Sequence, residues 1–395
     1  MACPARSASC ARPPANKINR RHPSYAAGRG KGEGPVPESH KKQADWKETL
    51  YGYVNAVNEA GLRGDPSALR AVPDALHRNR LSARLTETAN REALLGIRTV
   101  RSEVRARIER HSENGKDVWA DVSLHFVRSC EQLGVTWQEE RVDRERLRFV
   151  SAGKEWRLDA AEPLAIEGRF RAVVPQPDDE LEDLFERRDA MPSVPYINMN
   201  PRGRFQSRVY AGPGADGAYG YDPYRRGIPY RRAEAVAYAE RWWNDPNPAY
   251  HNFEVNCTNY VSQCIFAGHA PMNYTGRRET GWWYQGMSNG REMWSFSWAV
   301  ADSLQRYLGH PRSSGLRAEA LGSPDGLQLG DVICYDWDGS GRFGHNTIVT
   351  AFAPDGSPLV NANTVASRHR YWDYRDSYAY TSRTRYRFFH IHDEF

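Results

Sequence analysis

The chain has 395 residues, 54 Lys and Arg against 49 Asp and Glu, and 40% hydrophobic residues, a globular composition with room for about two domains. No run approaches the ~20 apolar residues of a bilayer-spanning helix, and residues 1–50 lack the apolar stretch of a secretory signal; no membrane span is expected, and the chain as written reads as cytoplasmic, with release toward a cell wall left open. The net charge of +5 sits at the start, where residues 1–45 hold nine basic and three acidic side chains, so the near-neutral body offers no footprint for specific nucleic-acid binding.

Residues 1–45 combine that charge with six Pro and a Gly-Arg-Gly-Lys-Gly-Glu-Gly run. They carry too little apolar surface to offset ordering and read as a disordered basic tail. From Trp46 the spacing of Leu50, Tyr53, Val54 and Val57 predicts a helix, with helical signals to about Leu95. The period then becomes two: Val100, Ser102, Val104, Ala106 and Ile108 alternate with charged residues, and after Asn114-Gly115 so do Val118, Ala120, Val122, Leu124 and Phe126. A second hairpin is expected from Leu147–Val150, a turn at Gly153 and Trp156–Leu158. Helices followed by an antiparallel sheet make 46–160 a small α+β domain. Acidic, then Pro- and Gly-rich sequence makes 161–228 a linker.

Residues 229–395 hold eight of the twelve Trp and are the expected seat of function. One helix is predicted from Ala233 to before Asn244, and a second from near Asn256. Strands follow at Asp331–Tyr335, His345–Phe352 and Leu359–Thr364. This is again α+β.

Six cysteines are too few and too scattered for a disulfide scaffold, and no Cys-x-x-Cys pair or short ligand spacing offers zinc. Asp336-Trp337-Asp338-Gly339-Ser340-Gly341 opens like a calcium loop but has Thr347 at the twelfth position, so a hairpin turn is the better reading. No cofactor is called for. Cys257, at the first turn of its helix, meets unsatisfied amide N–H groups and the positive end of the helix dipole, both of which favour thiolate; the alternative is a core Cys sharing a face with Val261 and Ile265. Cys264 and Cys334 read as core. His345, opening an apolar strand, is the best-placed base. Asn361 and Asn363, two apart on the next strand, share one face, and either amide is able to orient the imidazole.

The segments Tyr230–Val236, Trp242-Trp243-Asn244, Asn247–Tyr250, Asn256–Gln263, Gly281–Tyr284, Gly330–Ile333, His345–Thr350 and Leu359–Thr364 together resemble the putative amidase domain family of the papain-like cysteine hydrolase superfamily, related to the NlpC and CHAP cell-wall hydrolases. The resemblance covers about 229–392. It implies a papain-like fold, a nucleophile helix packed on an antiparallel sheet, and a bacterial cysteine amidase or peptidase working through an acyl-enzyme, with a peptide or peptidoglycan-like amide as substrate. It makes Cys257 the nucleophile, His345 the base and Asn361 the orienting residue. Many relatives read Asn-Ala/Ser-His-Thr where this chain has Asn361–Thr364, which leaves Asn363 as the alternative third member. The Cys257 N–H is the expected oxyanion donor, with Asn256 either adding a side-chain donor or capping the helix. Trp282, Trp283, Trp294 and Trp298 either line a substrate cleft or form core. The competing expectation is a catalytically silent papain-like binding or scaffold protein.

Overall fold

Burial at 46, 50, 53, 54, 57 and 60 gives the first helix its inward face. In the computed structural model, which describes residues 45–153, 155–167, 227–288 and 290–395, α1 runs Trp46–Arg63 between an Asp45 cap and the left-handed Gly64. The second helix, α2, runs Ala75–Leu95 from an Asp74 cap to Gly96. Most of the expected tail, and the part of the expected linker from 168 to 226, lie outside the described residues.

Four strands follow: β1 (Arg98–Asn114), β2 (Asp117–Gln132), β3 (Val135–Ala152) and β4 (Glu155–Pro163). Asn114 pairs with Asp117 around Gly115, whose φ of 61° suits a two-residue hairpin turn. The expected Gly153 hairpin is present, but β3 begins twelve residues before Leu147. The buried face of that earlier half is charged: Glu139, Arg141, Asp143 and Glu145. These groups meet counter-charges from α2 and from the chain after β11, Arg84 holding Asp143 at 2.8 Å and Arg141 holding Asp376 at 2.7 Å.

After residue 227 come α3 (Arg232–Trp242), α4 (Cys257–Ala267), the hairpin β5 (Tyr284–Ser288) and β6 (Arg291–Trp294), α5 (Phe296–Ala299) and α6 (Ala301–Leu308). Then follow β7 (Ala318–Leu321), β8 (Val332–Asp336), β9 (His345–Phe352), β10 (Pro358–Ala362), β11 (Ala366–Tyr371) and β12 (Arg385–Ile391). Among the described residues, ten strands form one antiparallel sheet in the order β1-β2-β3-β11-β10-β9-β8-β12-β7, with β4 also on β3. The join is short: Ala366, Ser367 and Arg368 face Val142, Arg141 and Glu140. Buried ion pairs reinforce it, Arg91 reaching Asp373 at 2.8 Å and Arg370 holding both Glu167 and Asp376. The regions 46–160 and 229–395 thus share a sheet.

Both faces of the β8–β10 region are buried. One carries Val332, Cys334 and Ile348 against Val261, Cys264, Ile265 and Trp298. The other carries Ile333, Tyr335, Val349, Val360 and Ala362 with Trp337 and Tyr374.

Candidate active site

Cys257 is the first residue of α4, where helix amides lack intrahelical partners. Those amides are met from outside the helix: the Thr364 hydroxyl accepts the N–H of Asn256 at 3.0 Å and of Cys257 at 3.1 Å. Thr364 adopts φ 89°, a costly conformation for a β-branched residue. The Asn256 side chain does not cap its own helix. Its Oδ1 accepts from the Phe253 N–H and Asn259 Nδ2, and its Nδ2 donates to Asn363 Oδ1 at 3.2 Å. The expected oxyanion donor, the Cys257 N–H, therefore points at the Thr364 hydroxyl.

The thiol is 1% exposed and sits 3.7 Å from the Thr258 hydroxyl. Burial pushes it above the ordinary thiol range, while the Asn346 N–H and the Thr258 and Thr364 hydroxyls pull down without offsetting burial. Cys264 and Cys334 are fully buried, and burial raises both well above the ordinary value.

The structure does not bring His345 to Cys257. Strand alternation is the reason. The next residue, Asn346, donates to the Thr258 hydroxyl at 3.1 Å, so the even-numbered start of β9 faces α4. His345 faces the other way, into Tyr335, Trp337 and Tyr374, with ring centroids 5.5, 5.9 and 5.4 Å away. The imidazole is fully buried, and among the described residues neither ring nitrogen has a hydrogen-bond partner. Desolvation lowers its pKa to about 4, against the opposing pull of Glu167. It is a neutral ring at ordinary pH.

Asn361 and Asn363 share the α4-facing side of the sheet, opposite His345, and the structure pairs neither with that ring. The register sets Asn361 opposite Ile348, an odd number of residues from His345. Asn361 donates to Glu240 on α3 at 2.9 Å and accepts from Thr350 and the His369 N–H, each at 2.8 Å. Asn363 stands nearer the nucleophile candidate, accepting from Asn256 and donating to the Trp243 carbonyl at 3.0 Å. Trp282, Trp283 and Trp298 are fully buried, so the structure places them in the core and not on a cleft wall. Their indole N–H groups are held by Ser262, the Thr280 carbonyl and Asn259. Asp336 accepts the Ser340 and Gly341 N–H groups, closing the Gly-rich bend as a turn.

Two features near Cys257 went unread in the sequence. Thr364 and Asn346 touch the candidate site, and each lies one residue beyond a residue singled out for chemistry. On the same side of the sheet, Glu240 holds His369 and Arg368, and these partners with Asn361 offset burial and lower its carboxyl to about 2.

Residues 229–389 match the family described as "Putative amidase domain", which supports an amidase-like domain in that segment. The uncharacterized protein YhbB of Bacillus subtilis (strain 168) is 51% identical over 173 residues, 44% of this chain and 54% of that protein. The chain thus spans about half the length of that relative. The crystal structure of the intermembrane space region of the chloroplast protein ARC6 is matched with a TM-score of 0.22 and 14% identity, over 30% of this chain and 92% of that one; a score of that size carries no argument about fold.

Proposed function

We propose that the region 229–395 is a cysteine-dependent amide hydrolase of papain-like kind, akin to the NlpC and CHAP enzymes, acting on peptide amides such as those of peptidoglycan. The observation that carries this reading is the position of Cys257, at the first residue of a buried helix inside the amidase-like segment. In the reaction the Cys257 sulfur attacks the amide carbonyl, the C–N bond breaks, the thiol proton leaves with the amine, and water hydrolyses the thioester to the acid and free thiol. The Asn256 and Cys257 N–H groups converge on the Thr364 hydroxyl oxygen, so in this reading a developing oxyanion takes these donors by displacing that hydroxyl.

A second reading, a binding or scaffold protein without turnover, is favoured by one observation: among the described residues no imidazole is hydrogen-bonded to the thiol, and His345 is turned to the other face of the sheet. Incubation with purified bacterial peptidoglycan, followed by mass spectrometry of the released peptides, separates the two. The hydrolase reading expects new amide cleavage products from the wild-type chain and none from Cys257→Ala. Absence of products from both supports the scaffold.

A further inference from the structure

Among the described residues the sheet has two unlike edges, β7 with 4 residues at one end and β1 with 17 at the other. A very short edge strand is a common protection against pairing with another chain, and β1 lacks it. Its one strand neighbour among the described residues is β2, so along its far side the backbone N–H and C=O groups meet no strand. The helix α1 lies on one face of β1, where Ser102 donates to Asn58 at 3.0 Å and Val104 and Ile108 pack against the core.

The opposite face of β1 is a row of charges, Arg101, Glu103, Arg105, Arg107 and Glu109, all but Glu103 exposed. Arg101 reaches Glu103 at 3.0 Å, Arg105 reaches Glu103 at 2.6 Å and Arg107 reaches Glu109 at 3.4 Å, contacts that place residues two apart on one face. Register irregularities at Thr99/Arg101 and Ile108/Arg110 bracket the row. Set antiparallel to a copy of itself about Arg105, the row is self-complementary: Arg101 falls opposite Glu109 and Glu103 opposite Arg107, each twice. Arg105 alone meets its like, and there its own strand's Glu103 already holds it. An axis one residue earlier sets Arg101 against Arg107, and an axis one residue later sets Glu103 against Glu109 and Arg105 against Arg107. On the α1 face the Arg105 axis puts Val104 opposite Ala106, apolar against apolar.

We propose that β1 is the interface between two copies of this chain, paired edge to edge and antiparallel about Arg105, so that their two sheets become one. Charges on an edge strand ordinarily deter pairing. Opposite charges directly across a strand pair favour it, and like charges oppose it, so the order of signs on β1 selects a second β1 over a strand of arbitrary sequence. A two-fold axis makes each favourable pair occur twice. In the strand order β9 and β10 stand beyond β2, β3 and β11 from this edge, and the inference is independent of any chemistry at Cys257.

The test is sedimentation equilibrium of the full chain from about 1 to 200 μM, where a monomer–dimer equilibrium is expected, weakening as added salt screens the charges. Glu103→Arg with Glu109→Arg makes the row uniformly basic and should weaken association about tenfold or more. Adding Arg101→Glu and Arg107→Glu to that pair restores opposite signs in the same register and should bring association back to within about threefold of wild type. The substituted side chains lie on the solvent side of the sheet, so circular dichroism should stay that of the wild type. Should the fourfold variant not fold, an equal mixture of the basic variant with an acidic one, Arg101→Glu, Arg105→Glu and Arg107→Glu together, decides instead: the two should pair with each other and neither with itself. The proposal is overturned by a wild-type chain that stays monomeric over the whole range, or by association that the basic variant does not weaken, which places the contact on another surface. It is overturned equally by a folded fourfold variant that associates no better than the basic one, or by a mixture that does not pair.

Discussion

The two faces of β9 hold the surroundings of Cys257 and of His345, and they differ in how their polar groups are met. On the α4 face most groups around the Cys257 sulfur are met: the Thr364 hydroxyl takes two backbone N–H groups, Asn346 Nδ2 reaches Thr258, and Asn256 links Phe253, Asn259 and Asn363, while Asn346 Oδ1 is buried without a partner among the described residues. On the opposite face the His345 nitrogens, Trp337 Nε1, the Tyr374 hydroxyl and Arg370 Nη2 are buried without partners among the described residues. The first face is a polar, largely hydrogen-bonded setting for the Cys257 thiol. The second holds a neutral imidazole in an aromatic box beside the Glu167–Arg370–Asp376 ion network. One residue of strand phase separates them. Residues adjacent in sequence at the mouth of a strand are thus not candidates for the same site.

The sharpest way to break this comparison is to remove the thiol. Cys257→Ala is expected to abolish amide hydrolysis, measured as product release from peptidoglycan, with the fold retained by circular dichroism. Cys264→Ala and Cys334→Ala should keep activity, because both are fully buried in the packed face and neither stands at the first turn of a helix. Activity in Cys257→Ala would move the chemistry elsewhere.

The next effect is on acid stability and belongs to the opposite face. The folded pKa of His345 lies near 4, below the unfolded value of 6.5. Below 6.5 the unfolded chain therefore binds a proton that the folded one does not, and stability falls as pH drops from 6.5 toward 4. His345→Phe should remove about 3 kcal/mol of that fall, the size of a 2.5-unit difference, in denaturant titrations at pH 7 and pH 4. His77 is lowered to about 4 in the same way, but its neighbour Glu145, raised by burial to about 7, gains stability as pH falls and opposes it. An identical acid limb in His345→Phe would mean that the ring is already charged or solvated in the folded protein.

A smaller effect concerns the hydroxyl over the N-terminus of α4. Thr364→Ala leaves the Asn256 and Cys257 N–H groups without their acceptor and should cost about 1 kcal/mol in a urea titration, the usual size of a lost helix cap. No change would show that another group serves those amides.

Much of this architecture was legible. The 46, 50, 53, 54, 57 spacing marks the buried face of α1, and the Asn114-Gly115 turn starts β2 where it should. Asn361 and Asn363 were expected to share a face, and both turn toward α3 and α4. The phase of β9 was not legible. Residues His345–Thr350 are buried on both faces, so alternation carries no contrast to say whether His345 or Asn346 meets the helix. The early half of β3 was missed for a related reason: Glu139, Arg141, Asp143 and Glu145 show no apolar alternation, and the distant Arg84, Arg91 and Asp376 make their face an inner one. Cleft and core stayed open for the tryptophans because their indole partners, Ser262, the Thr280 carbonyl and Asn259, are not visible as partners in one dimension.

The separation of Cys257 from His345 is tested most directly by the alkylation rate of Cys257 at pH 7, read by peptide mass after timed iodoacetamide exposure, in wild type and His345→Phe. With the thiol raised by burial and served by Thr258, Thr364 and Asn346, the two rates should agree within about twofold, and both should rise as pH climbs through the thiol range. A fall of about tenfold or more in His345→Phe would mean that the imidazole activates the thiol, and would contradict the placement of the two residues on opposite faces of the sheet.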